Sequence, residues 1–429
     1  MRMNRRNMMK TAALAAGAAV TVPDLLAQRG QGGTPSGNLP ESITQLHSMR
    51  SQAVPITNDE RMARLKRAQK LMVENKMGAL MLNGGTSMDY FLGIRWGLSE
   101  RMFAFVLPAA EDKTPFFICP KFEEDRAQEL ISKSPVAQVN VMTWEEDDSP
   151  WRLLRQGLTD RGLATASVGI EETVRYVFSD GLRKESQALA SGTPITAGCR
   201  MIKSAAELAL MKLANTVTLN AYKAAYGGLK EGMSQNELAG LISTAHNRLG
   251  FPGGAMVNVA EYSALPHGSI TPQFIREGQI ILIDGGCTVE GYQSDISRTF
   301  IIGTPTDKMK KVFDIERHAQ DAALAAAKPG VAAGSVDAAA RKVIEDGGYG
   351  PGYKYFTHRV GHGIGMDGHE WPYLVKGNPL KLQTGMCFSD EPGIYIRGEF
   401  GVRLEDDMHI TETGAELFTP QSDSLEKPF

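Results

Sequence analysis

Between Ser204 and Ile410 the chain runs twice through one order of segments, helix, helix, strands, and this limits its possible folds more than any other feature. Ser204, followed three residues later by Glu207, is a capping box that opens a long helix ending at Gly227-Gly228. Ser234 with Glu237 opens a second helix, which stops at Gly250, and strand-like runs follow to Ile302. The order then begins again. Thr306 to Ala327 is closed by Lys328-Pro329-Gly330, Ser335 to Asp346 by Gly347-Gly348, and another strand-rich stretch reaches Ile410. Two similar halves whose sheets meet are expected, an α+β domain with a pseudo-twofold repeat over residues 200–420 and ligands drawn from both halves.

A chain of 429 residues exceeds what one hydrophobic core usually serves. Residues 58–195 supply the second domain. A helical stretch (59–76) leads to apolar strands at Ala79–Leu82, Met102–Leu107 and Thr114–Cys119, then helix, strand, helix, strand, which is the alternation of an α/β domain. Nothing in it clusters like a catalytic site, so its expected role is structural: covering the other domain, forming a dimer contact or narrowing access. A formal net charge of -3 with no basic stripe argues against nucleic acid or an anionic membrane as partner. Cys119, Cys199, Cys287 and Cys387 form no close pair and lie in apolar or Gly-containing stretches, as buried free thiols do.

The first residues are different in kind. Arg5, Arg6 and Lys10 precede the small apolar run Thr11 to Val22, too short to span a membrane and suited to a signal sequence. Residues 1–27 read as a twin-arginine-type signal, which implies export, to the periplasm, with the signal cleaved or kept as an anchor. After signal removal no membrane-spanning segment is expected. Residues 28–57 are assigned as linker, the part QRGQGGTPSGNLP having the composition of one.

Side chains able to hold metal concentrate in the repeated region. Asp284, Asp295, His362, Glu391 and Glu405 lie in the contexts LIDGG, SDISRTF, GHGIG, DEPGIY and RLEDD. Four carboxylates and one imidazole converging on a point would repel one another unless cations neutralised them, and two divalent ions would balance the charge. Gln279 to Ile283 reads as a strand ending at Asp284, with Gly285-Gly286 at a turn or bulge and Asp295 opening the returning strand to Ile302. A pair of turn-capping aspartates would look the same in this segment alone. Val402 to Ile410 reads as one strand, on which Arg403 and Glu405 share a face. Of eight histidines, His267, His358, His362 and His369 fall among these acids, and glycines at 361, 363, 365 and 368 permit close backbone approach.

Taken together, SALPHG, LIDGG with SDISRTF eleven residues on, GHGIG with HEWP, EPGIY and RLEDD make residues 204–415 resemble the catalytic domain of the pita-bread metallopeptidases, in the creatinase-like branch of Xaa-Pro aminopeptidases and prolidases. Residues 58–191 look like that branch's N-terminal domain. The resemblance implies that Asp284 binds one metal, that Asp295 and Glu405 bridge the two, and that His362 and Glu391 complete the other site. It places His267, His358, His369 and Arg403 in contact with substrate or transition state, with Glu391 shuttling a proton and His358 stabilising an oxyanion. The implied activity is cleavage of the peptide bond before proline by an Xaa-Pro aminopeptidase. An Xaa-Pro dipeptidase, or a creatinase-like hydrolase or lyase acting on a non-peptide substrate, is the alternative. Manganese is the first expectation for the two divalent ions, with cobalt, iron or zinc also compatible with such ligands. Proline-containing peptides and a homo-oligomer are the implied partners. Two departures stand out: Glu261-Tyr262 where relatives have Gly and Asn nearby, and Asp390 ahead of Glu391, an extra acid that would alter ion preference beside the metals.

Overall fold

The computed structural model describes residues 39–429. The expected signal over residues 1–27 and the linker as far as residue 38 lie outside the described residues. Among the described residues no helix is long and apolar enough to cross a membrane.

The rest of the expected linker is not a free tether. Residues 39–57 form a short helix (Glu41–Thr44) and a 3-10 turn (Arg50–Gln52) that lie on the catalytic domain. Ile43 and Ile56 are buried in that domain's core, Met49 N–H donates to Leu249 O at 2.8 Å, and Ser42 Oγ donates to Ala224 O at 2.8 Å. Apolar side chains spaced along the segment gain more from burial between two helices than a solvated coil would.

The N-terminal domain is built on a six-stranded sheet of β1 (Ala79–Asn83), β2 (Ala104–Pro108), β3 (Phe116–Pro120), β4 (Asn140–Trp144), β5 (Val168–Ile170) and β6 (Leu189–Ser191), in the order β4-β3-β2-β1-β5-β6. Residues of β1 to β3 are buried throughout because helices cover both faces. Leu80, Leu82, Phe105 and Phe117 pack on one side and Ala79, Met81, Val106 and Phe116 on the other.

In the catalytic domain both capping boxes form, and the helices Ala205–Tyr226 and Gln235–Leu249 follow them. They cover a sheet of β7 (Gly253–Val259), β8 (Ile280–Val289) and β10 (Ile296–Ile301), with β9 (Tyr292–Gln293) pairing onto β8. The second half repeats this. Helices Asp307–Ala326 and Ala333–Asp346 cover a sheet of β11 (Gly361–Gly363), β12 (Glu370–Leu374), β13 (Cys387–Asp390), β16 (Asp406–Ile410) and β17 (Ala415–Leu417). A hairpin of β14 (Gly393–Ile396) and β15 (Phe400–Arg403) joins the halves.

Two local expectations change. β8 does not end at Asp284; it runs on through Gly285 and Gly286 to Val289. Glycine is needed there for close approach, since a Cβ on Gly286 would overlap the Ser294 carbonyl and one on Gly285 the Gly254 carbonyl. The turn comes at Glu290-Gly291, whose φ of 49° and 91° fit a two-residue hairpin loop. Val402 to Ile410 is likewise not one strand: the chain leaves β15 after Arg403 and enters β16 at Asp406, and Glu405 stands in the crossing with its N–H donating to Ser297 O at 3.2 Å.

Candidate metal centre

The crossing between the two sheets brings all five metal-ligand candidates together. Asp284 projects from mid-β8, Asp295 from the residue before β10, His362 from β11, Glu391 from the residue after β13, and Glu405 from the crossing itself. Asp284, Asp295 and Glu405 each bring an oxygen to within 4.8 Å of the other two, and His362, Glu391 and Glu405 form a second trio of the same kind. Glu405 belongs to both, so the geometry is that of two adjoining sites with a shared ligand. The turn-capping reading of the aspartates is thereby set aside. Asp295, His362 and Glu405 are buried, with His362 Nε2 3.3 Å from Glu391 Oε1 and 4.0 Å from Asp295 Oδ2.

Supporting contacts orient these candidate ligands. His362 Nδ1 lies 3.1 Å from the Gly363 carbonyl, which can only accept, so Nδ1 carries the proton and Nε2 presents a lone pair to the acids. Ser389 Oγ donates to Glu391 Oε1 at 3.2 Å and accepts from His362 N–H at 3.0 Å. Ser297 Oγ donates to Glu405 Oε2 at 2.6 Å and accepts from Arg403 Nε at 3.0 Å. Asp407 Oδ2 accepts from the Asp295 N–H at 3.0 Å and from Asn215 Nδ2 at 2.9 Å. Arg403 donates to Asp284 Oδ2 at 2.8 Å.

The electrostatics ask for more positive charge than Arg403 brings. Burial pushes the Glu391 carboxyl up, Arg403 pulls against it, and Asp295 and Asp284 push it further. Burial, then Asp295, Glu391 and Asp284, hold Glu405 well above the usual carboxylate range. Four acids and a neutral imidazole so arranged fit two divalent cations, with oxygen-rich ligation and one nitrogen.

Around this centre the remaining histidines take distinct places. His369 is exposed and its ring stacks on His362, with centroids 3.7 Å apart. His267 is exposed at the rim, next to Pro266, whose carbonyl accepts from Arg403 Nη1 at 3.2 Å. His358, expected to stabilise an oxyanion, has both ring nitrogens engaged within the protein. Nδ1 donates to Arg359 O at 2.8 Å, and Nε2 accepts from the Tyr395 hydroxyl at 2.7 Å, which itself accepts from Arg403 Nη1 at 2.9 Å. Burial and the Arg403 cation hold His358 down to about 3, so the ring is neutral at physiological pH.

Among the described residues, Asp390 belongs to none of the groups of side chains able to hold a metal. It is fully buried on the helix side of β13, where burial and then Asp406 and Glu316 raise its carboxyl well above the ordinary range. A strand alternates its faces, so the residue next to a ligand points away from it. Tyr395, Ser297 and Ser389 join the candidate site, and each lies in or beside a quoted motif: Ser297 and Ser389 stand two residues from Asp295 and Glu391, and Tyr395 four residues after Glu391.

Residues 209–412 match Metallopeptidase family M24, and residues 64–202 match the Creatinase/Prolidase N-terminal domain. Over 372 residues the chain is 32% identical to an Xaa-Pro dipeptidase of Lactobacillus delbrueckii subsp. lactis, covering 84% of this chain and 98% of that one. The chain belongs to metallopeptidase family M24. Among solved structures, this M24 peptidase is similar to dipeptidase PepE from Mycobacterium ulcerans, with a TM-score of 0.80 at 31% identity over 87% of this chain and 99% of that one. It is also similar to an X-Pro aminopeptidase from Thermotoga maritima MSB8, with a TM-score of 0.72 at 27% identity over 84% and 99%. The catalytic domain of this M24 enzyme therefore has the pita-bread fold, preceded by the N-terminal domain of the creatinase and prolidase branch.

Proposed function

We propose that this M24 peptidase is an Xaa-Pro dipeptidase, releasing proline from a two-residue substrate. The observation that carries the reading is the pair of trios sharing Glu405, in a chain of which 84% and 83% match two relatives named as Xaa-Pro dipeptidases. The aminopeptidase activity expected from sequence becomes the second reading, supported by the likeness to the Thermotoga protein.

Two divalent cations held there, manganese in our reading, would supply Lewis acidity and lower the pKa of water to about 7 in the best cases. The chain's own groups do the rest. Glu391 Oε2 takes a proton from the attacking water and delivers it to the proline nitrogen, while Ser389 keeps Oε1 fixed. Arg403 neutralises part of the acid cluster through Asp284 and, with Tyr395, forms a chain that ends on His358, so we assign His358 to orientation. His267 and His369, both exposed at the opening, are the walls for a proline ring. Proline has no N–H with which to dock as an ordinary peptide strand, so shape must replace that contact. Arg359, whose Nη2 lies 3.3 Å from His369 Nδ1, offers a cation for the free carboxylate of a dipeptide.

A substrate-length series tests this. Xaa-Pro, Xaa-Pro-Yaa and longer peptides are assayed with manganese, cobalt, iron or zinc restored after chelation; turnover confined to Xaa-Pro is expected, and equal or greater turnover of the tripeptide returns the aminopeptidase reading.

A further inference from the structure

His369 stands on the loop 364–369, between the ends of β11 and β12, where its exposed ring stacks on His362 and brings a nitrogen to within 4.8 Å of Asp295 and His362 ligand atoms. The side chain therefore depends on where this loop is held. Two residues beside it, Asp367 and Glu370, are both gripped by one guanidinium from the end of the N-terminal domain, whose family match extends beyond the expected boundary at 195 to residue 202. Arg200, the last residue of the helix Thr193–Arg200, donates through Nη2 to Asp367 Oδ2 at 2.5 Å and, in a very short contact, to Glu370 Oε2. Lys203 Nζ donates to Glu370 Oε1 at 2.7 Å, and Thr86 Oγ1 of the N-terminal domain donates to Asp367 Oδ1 at 2.6 Å.

The packing here is close. The Arg200 and Glu370 side chains are 12% and 7% exposed, and Gly365 is bare because a Cβ there would press on the Glu370 carboxylate and on Lys203 Cε. The opposite side of the loop is fastened by Gln293, whose N–H donates to Gly365 O at 2.8 Å and whose Nε2 donates to Met366 O at 2.8 Å. Gln293 is two residues before Asp295, so the loop is tied to the metal hairpin on one side and to the N-terminal domain on the other.

We propose that Arg200 is a positioning residue for His369: by bridging Asp367 and Glu370 it fixes the loop that aims the imidazole over the metal centre. The N-terminal domain thus sets part of the catalytic geometry as well as covering it. The inference rests on His369 contacting substrate, as read above. Misplacement of a contacting group by about 1 Å can cost about a hundredfold in rate. Partners that act as a unit also give non-additive effects in a double-mutant cycle.

The test uses the full chain with metals restored. In Arg200→Ala, amide exchange across residues 364–370 should quicken at least about tenfold while β1 to β3 keep their protection, and kcat/KM on Xaa-Pro dipeptides should fall about 10- to 100-fold. In a His369→Ala background the same change should cost less than about threefold, and Arg200→Lys, whose shorter side chain places its ammonium short of the Nη2 position that meets both acids, should recover only part of the loss. Unchanged exchange in the loop, or an equal loss with and without His369, would overturn the proposal. If Arg200→Ala does not fold, Asp367→Asn loosens the same loop from its other end and is read by the same criteria. A wild-type enzyme that turns over no proline dipeptide would remove the functional reading, and loop exchange in the variants would still decide whether Arg200 holds the loop.

Discussion

Ser297→Ala removes one hydroxyl from beneath the metal centre, and the structure sets the size of the effect. The Ser297 side chain is wholly buried and makes two contacts with charged groups, donating to Glu405 Oε2 at 2.6 Å and accepting from Arg403 Nε at 3.0 Å. A hydrogen bond to a charged group contributes about 1.5–3 kcal/mol, and each ~1.4 kcal/mol is tenfold in an equilibrium constant. Glu405 is shared by both candidate metal trios, so the loss of the Ser297 donor should weaken metal binding about 10- to 100-fold, the range typical of outer-shell partners. The assay is competition with a graded chelator followed by metal analysis, with thermal unfolding of the metal-free protein in parallel. Turnover should be largely restored at saturating metal, since no ligand has been removed. Metal affinity within about twofold of wild type, alongside a lowered Tm of the metal-free protein, would refute the reasoning and leave Ser297 a packing residue.

Glu391→Gln should abolish turnover with the fold retained, and a rate within about tenfold of wild type would exclude the proton shuttle. His246, fully buried between Thr218 Oγ1 and the Ile242 carbonyl, is held by burial from its ordinary 6.5 down to about 4. A depressed histidine contributes stability above its unfolded pKa that is lost as pH falls, on the order of 3 kcal/mol between pH 6.5 and 4, so replacement by Gln should flatten that part of a Tm-against-pH curve. Arg5→Lys with Arg6→Lys should retain the enzyme in the cytoplasm when wild type is recovered outside it, and equal export of both would remove the twin-arginine assignment.

Much of the candidate site was legible because its acids and its histidine sit in short local contexts that sequence preserves whole. Asp284, Asp295, His362, Glu391 and Glu405 could be named from their motifs, and the capping boxes at Ser204 and Ser234 placed two helices to within a residue. What could not be read depends on partners distant in the chain. Gly285 and Gly286 look like a turn until Gly254 and Ser294 are seen pressing on them inside a continuing strand. Arg403 and Glu405 look like strand neighbours until β15 and β16 are seen to belong to different sheets. Asp390 looks like an extra acid beside the metals because adjacency in sequence hides the alternation of faces, and the partners that Tyr395 and the Arg359 carbonyl give the His358 nitrogens are not visible in its motif. Residues 39–57 have little internal pattern, and their order comes from the groove between two helices they lie on.

The most direct test of the two-cation centre is the metal content of the purified chain after dialysis against a metal-buffered solution, measured with Xaa-Pro turnover on the same samples. Two divalent ions per chain are predicted for wild type, falling to one or none in Glu405→Gln together with loss of turnover, because that carboxylate serves both trios. Full turnover in a metal-free preparation, or two ions still bound without Glu405, would contradict the account.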